Sequence, residues 1–111
     1  MAFNDIELAN IEKCMEFFIE KRRPPAFVRD EVDLQYHIIG TDVVIYRINY
    51  IEKKKYETPI AKIALNRTHT GWNLYSMIQP NQWIAAIKES IPTFSDAIKI
   101  VEDDLQGCFF G

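Results

Sequence analysis

Three clusters in this sequence have residue types and spacing able to carry chemistry. The first is acidic, Glu102-Asp103-Asp104. It closes a helical pattern, where the negative pole of the helix disfavours carboxylates by about 0.3–1 kcal/mol each. Clustered oxygen ligands suit a hard cation such as magnesium. The plainer account is an internal ion pair with Arg22, Arg23 or Arg29, cations placed around a helix stop. The second cluster is basic, Lys53-Lys54-Lys55 with Lys62 and Arg67. With rings from Tyr50, Tyr56, Trp72 or Tyr75, these cations would track phosphates while bases stack. A lysine run is also what a solvated loop carries, and it discourages edge-to-edge pairing. The third cluster is the closing Gly107-Cys108-Phe109-Phe110-Gly111. Leaving Phe109 and Phe110 in water costs about 1.5–3 kcal/mol each relative to burial, so this tail docks on the body or on a partner. Cys108 is a reactive thiol only if a base stands near it, and otherwise a small apolar residue packed with its neighbours.

The remaining candidates are plainer. Cys14 lies in an apolar helical stripe and reads as core. His37 falls on the polar face of its strand and His69 in a turn. Neither has the spacing of a zinc site, so both read as solvated histidines. The chain has 4 Gly and shows neither G-x-G-x-x-G nor a P-loop. No resident cofactor or metal is implied.

These groups need elements to position them. Asn4 and Glu7 have capping-box spacing ahead of a helix over residues 4–22, with Phe3 and Leu8 placed as a hydrophobic staple. Leu8, Ile11, Cys14, Met15 and Phe18 form its apolar stripe. Lys21, Arg22 and Arg23 suit its C-terminal end, and Pro24-Pro25 stops it. Period-two alternation then marks Val32–Ile38 and Val44–Tyr50, joined by a tight Gly40-Thr41 hairpin. Glu52–Thr58 reads as a longer polar hairpin loop, Ile60–Arg67 as a third strand, and Trp72–Ile78 as a fourth. Trp83–Lys88 is ambiguous: Ala85 and Ala86 favour helix, while its shortness and the flanking Pro80 and Pro92 favour a fifth strand. Thr93 and Asp96 open a last helix with the stripe Phe94, Ala97, Ile98, Val101 and Leu105, and Gly107 ends it. The expected fold is α+β: an N-terminal helix, an antiparallel meander of four or five strands and a C-terminal helix, both helices on one sheet face.

Bulk properties narrow the classes. The 111 residues are 48% hydrophobic and 26% charged, an ordinary globular composition for a single domain over residues 1–111. Such a chain buries about two thirds of its unfolded surface, enough for a core without staples. A net charge of -3 disfavours a generic nucleic-acid binder, although a local basic patch can overcome it. Two cysteines make no disulfide framework. The N-terminus has no basic and apolar leader, and no apolar run approaches the roughly 20 residues that span a bilayer. A cytoplasmic setting without membrane contact is the expectation.

Several segments together resemble one family. They are Glu20-Lys21-Arg22-Arg23-Pro24-Pro25, Arg29-Asp30, Pro59-Ile60-Ala61-Lys62, Trp72-Asn73-Leu74-Tyr75, Trp83, Glu102-Asp103-Asp104 and the terminal pentapeptide. The chain is similar over nearly its whole length to the small bacterial proteins called domain of unknown function 3024. It departs from them after Trp83, where Ile84-Ala85-Ala86-Ile87 replaces a polar and aromatic strand. The resemblance implies a bacterial setting and a fold, and no assigned activity.

The leading functional expectation is a non-catalytic binding or protein-interaction module, with a protein partner or a homodimer. Its binding candidates are Arg22, Arg23, Lys53, Lys54, Lys55, Cys108, Phe109 and Phe110. The alternative is single-stranded nucleic-acid binding through the sheet and the lysine loop. A third reading is an enzyme or metal-dependent activity using Glu102, Asp103, Asp104 or Cys108.

Overall fold

The first helix is set by its cap. The Asn4 carboxamide accepts from the Glu7 backbone N–H at 2.8 Å, and the Glu7 carboxylate accepts from the Asn4 N–H at 2.9 Å. Two of the unpaired donors at the helix start are thereby satisfied. In this computed structural model, which describes residues 2–68, 71–79, 82–104, 107 and 109, α1 spans Asp5–Arg22. The sheet follows as β1 (Val32–Ile39), β2 (Asp42–Ile51), β3 (Lys54–Asn66), β4 (Gly71–Gln79) and β5 (Gln82–Ala85), and the last helix, α2, is Phe94–Asp103. A short 3₁₀ turn at Ala26–Val28, which the sequence reading did not foresee, joins α1 to β1.

The five strands lie side by side in chain order, each antiparallel to the next. The ambiguous segment after Pro80 is therefore a strand, but a brief one. Gly40, at φ 61°, gives the β1–β2 hairpin the glycine that a type II′ turn wants at its first central position. The next hairpin corrects the expected long loop. Ile51 pairs directly with Lys54, so the connection is only Glu52-Lys53, at φ 52° and 67°. Both central residues are left-handed, as in a type I′ turn, without the Asn-Gly that normally signals one. β3 consequently begins six residues before Ile60. Pro59 interrupts it without breaking it, because a bulge falls there: Ile45 opposes Ala61, whereas Tyr46 opposes Pro59. β4 pairs with β3 only from Ala61 onward, so the missing N–H of Pro59 costs no bond on that side.

Both helices cover one face. Ile11, Met15 and Phe18 of α1 and Phe94, Ala97, Ile98 and Val101 of α2 share a core with Leu34, Val43, Ile45, Ala61, Ile63, Trp72 and Leu74. Trp72 stands between Phe3 and Phe94, with ring centroids 5.8 Å and 5.1 Å away. It also exchanges two backbone hydrogen bonds with Ile91, both 2.8 Å, which ties the segment after β5 back to β4. Gly71 permits that approach, since a Cβ there would lie 2.0 Å from the Ser90 Oγ. α2 stops earlier than expected. Asp104, at φ 44°, takes the left-handed cap position in place of Gly107. An aspartate does this more readily than most residues because its side chain finds a local partner. Here that partner is the Phe109 N–H, which donates to Asp104 Oδ1 at 3.0 Å. Phe109 is buried in the core, so of the two sites open to the tail this ring takes the body and not a partner. Phe110, Cys108, Leu105, Pro80 and His69 lie outside the described residues.

Candidate functional site

Among the described residues, those singled out from the sequence do not converge on one site. Arg23 is committed to Asp33, with Nε to Oδ1 at 2.8 Å and Nη2 to Oδ2 at 2.9 Å. Asp33 is buried and also accepts from the Leu34 N–H, and these donors hold its carboxyl below the usual range, the Arg23 contact foremost. Arg29 donates to the Pro24 carbonyl. Arg22 donates to the main-chain carbonyl of Glu102, while the Glu102 carboxylate takes Lys21 at 3.3 Å. The acidic triplet thus meets the end of α1: among the described residues the Glu102 carboxylate pairs with Lys21, and the expected Arg22 reaches the same residue through its main-chain carbonyl. Asp104 is spent on the tail and Asp103 is exposed. Among the described residues, no three potential metal ligands converge.

The lysine run sits at the far tip of the β2–β3 hairpin. Lys55 pairs with Glu57 on its own strand at 3.2 Å. Seven residues of extended chain, at about 3.3 Å each, separate Lys55 from Lys62. Arg67 is held by Glu7 at 3.1 Å and by the Ala2 carbonyl at 3.2 Å. Cys14 is half-buried beside the α1–α2 seam, and burial pushes its thiol pKa up, which opposes reactivity. Trp72 is core and does not stack ligands.

One cluster does form, on the sheet face away from the helices. Strand register places His37, Val44, Lys62, Tyr75 and Ala85 in one unbroken row across all five strands. Residues directly opposed across a ladder share a face. The adjoining row contributes Gln35, Tyr46, Met77 and Trp83. His37 meets Tyr46 edge-on, with centroids 4.9 Å apart. Lys62 Nζ lies 4.8 Å from the Tyr75 ring centroid and 5.2 Å from that of Trp83. Its stem packs on the sheet while two ring faces hold its ammonium. Among the described residues Lys62 has no carboxylate partner. These two rows hold no acid. The acids in the next rows out are Asp33, matched by Arg23, Glu57, paired with Lys55, and Asp42 at the hairpin end. Next to Tyr75, Thr41, Ala64, Leu65, Asn66 and Asn73 help line a shallow hollow of mixed polarity. Asn66 Nδ2 donates to Asn73 Oδ1 at 3.3 Å there.

The sequence reading had Lys62 and Tyr75 on one surface but missed Trp83, Tyr46 and the part His37 plays. Residue parity was the available signal. Tyr75 and Trp72 are three apart on one strand and must face opposite ways.

No helix among the described residues is long and apolar enough to cross a membrane. The family model described as "Domain of unknown function (DUF3024)" matches residues 3–111. No curated protein and no solved structure matches the chain.

Proposed function

The chain belongs to that DUF3024 family, and we propose that it is a non-catalytic binding module whose ligand docks on the uncovered face of the sheet. The observation that carries this reading is Lys62 held between Tyr75 and Trp83 on a face the helices leave bare. A lysine paired with a carboxylate is neutralised, whereas one held by ring faces keeps its charge for a partner. The rings add polarisable contact area with few rotatable bonds, the composition enriched where surfaces bind. The proposal includes a single domain over residues 1–111, working in the bacterial cytoplasm.

The test is comparative capture. Immobilised chain is exposed to a bacterial lysate beside a variant carrying Lys62→Glu, Tyr75→Ala and Trp83→Ala, and retained proteins and nucleic acids are identified. Components held by the first and lost by the second support the reading. Equal retention by both counts against a ligand on this face.

A further inference from the structure

We infer that the ligand of the open sheet face is single-stranded nucleic acid, stacked on Tyr75 and Trp83 with a phosphate against Lys62. This rests on the binding-face reading above and adds the ligand class. Such a strand offers flat π faces and a repeating anion side by side, and the face supplies the complement of each at short range.

The two rings and the cation are already assembled. Lys62 Nζ is 4.8 Å from one ring centroid and 5.2 Å from the other, so a phosphate on the ammonium lies next to both stacking surfaces. Base–aromatic stacking tolerates any sequence because every base has a π face. The His37–Tyr46 pair lies in the same two rows, two strands away from Lys62 and Tyr75, and provides a further ring platform. Sheets that bind single strands stack two or three bases on one face in this way. Beside Tyr75, the Asn73 side-chain nitrogen has no acceptor among the described residues, and it can donate to a base edge or a sugar oxygen.

Charge placement answers the objection from the net charge of -3. Asp5, Glu12, Glu16 and Glu20 are exposed on α1, which packs on the opposite face of the sheet. The central rows of the open face carry Lys62 and no carboxylate. Screening over about 8 Å at physiological salt separates the two layers electrically. A duplex fits the site poorly, because its bases are paired and stacked and cannot lie on the rings.

The experiment is titration of the full chain against labelled short oligo(dT), oligo(rU) and a mixed-sequence duplex, read by fluorescence anisotropy and by tryptophan emission. Single strands should bind more tightly than the duplex and quench Trp83. Affinity should fall by about twofold to threefold between about 50 and 200 mM salt, the single-strand slope for the one phosphate on Lys62. Tyr75→Ala and Trp83→Ala should each weaken binding about tenfold. Tyr75→Phe keeps the ring and should bind as the parent does. Lys62→Met keeps the packing stem and should flatten the salt dependence. Lys53→Ala at the hairpin tip should change little. Thermal melts of each variant separate lost binding from lost fold, and Tyr75→Phe and Lys62→Met decide the matter should the alanine variants unfold. Single strands that fail to bind, or bind undiminished by Tyr75→Phe's counterpart Tyr75→Ala in a folded protein, overturn the inference. If oligonucleotides fail while a lysate protein is captured only by the intact face, the ligand is a protein and the binding-face reading alone survives.

Discussion

Asp33 is the residue at which the chain takes a charge out of water and satisfies it completely. Its side chain is 7% exposed, bound at both oxygens by Arg23 and at one also by the Leu34 N–H. Removing such a partner leaves desolvated donors behind, and bonds to charged groups contribute about 1.5–3 kcal/mol. Asp33→Ala should therefore lower the unfolding free energy by about that much at pH 7, measured by urea titration. The pH dependence has a definite sign. The folded pKa is lowered, by the Arg23 hydrogen bonds first and the Leu34 N–H next. The ionised form is therefore what the fold prefers. This contribution is whole above the unfolded carboxylate pKa, about 3.9, and is lost as pH falls through the lower folded value. Parent and Asp33→Ala stabilities should converge in that acid window. A gap that stays constant below it would show that the pair's worth is packing and not charge. Lys62 is the contrasting case: a cation anchored by rings, with its charge left available.

At the scale of elements, the two-residue turn between β2 and β3 is the least favourable piece of local geometry. Glu52 and Lys53 both sit at positive φ, where a side chain costs roughly 1–2 kcal/mol per residue. Replacing the pair by Asn-Gly should stabilise the protein by about 1 kcal/mol, read as a raised melting temperature. No gain, or a loss, would mean that the Ile51–Lys54 register is not what closes this hairpin. The same turn shows where the sequence stops being legible. β1 and β4 were readable from alternation between the core and the other face, whereas β2 is buried at Val43, Val44, Ile45 and Ile48 on both faces, so its alternating Val44, Tyr46, Ile48 and Tyr50 marked a strand without marking the side that meets the helices. Residues 54–58 are exposed throughout, so they carry no alternation, and backbone pairing alone extends β3 through them. Both helices were legible from capping side chains and apolar stripes, but the end of α2 was not. Gly107 looked like the stop, while Asp104 does the work because the tail returns to bond its carboxylate. The candidate site was legible in part. Lys62 and Tyr75 are thirteen residues apart and meet through register, and Trp83 joins them only once the short β5 is known to pair with β4.

For the whole molecule, the decisive arrangement is that Phe3, ahead of α1, and Phe109, beyond α2, are both built into the core. Phe3 and Phe109 are each 7% exposed and belong to the same buried cluster. The helices that enclose it are separated by the entire sheet in sequence, yet Lys21 and Arg22 of α1 reach Glu102 of α2. The apolar face of the meander is therefore covered only when the first and last segments have both arrived. Phe109→Ala should cost about 3–5 kcal/mol, the range for deleting a buried aromatic ring. Its effect should be global. The urea midpoint should fall with the slope unchanged, because the slope follows the surface exposed on unfolding. A tail that merely rested on the surface would behave otherwise, fraying locally and leaving the midpoint where it was. The open sheet face adds a second readout of the same substitution. Lys62 and Tyr75 stand on strands whose other side is the core that Phe109 completes, and Trp83 on the short strand paired beside them. In the fraction of Phe109→Ala molecules that remain folded, ligand affinity should match the parent, since stacking rings and cation are untouched. Affinity that fell in folded protein would place the tail itself in the binding surface.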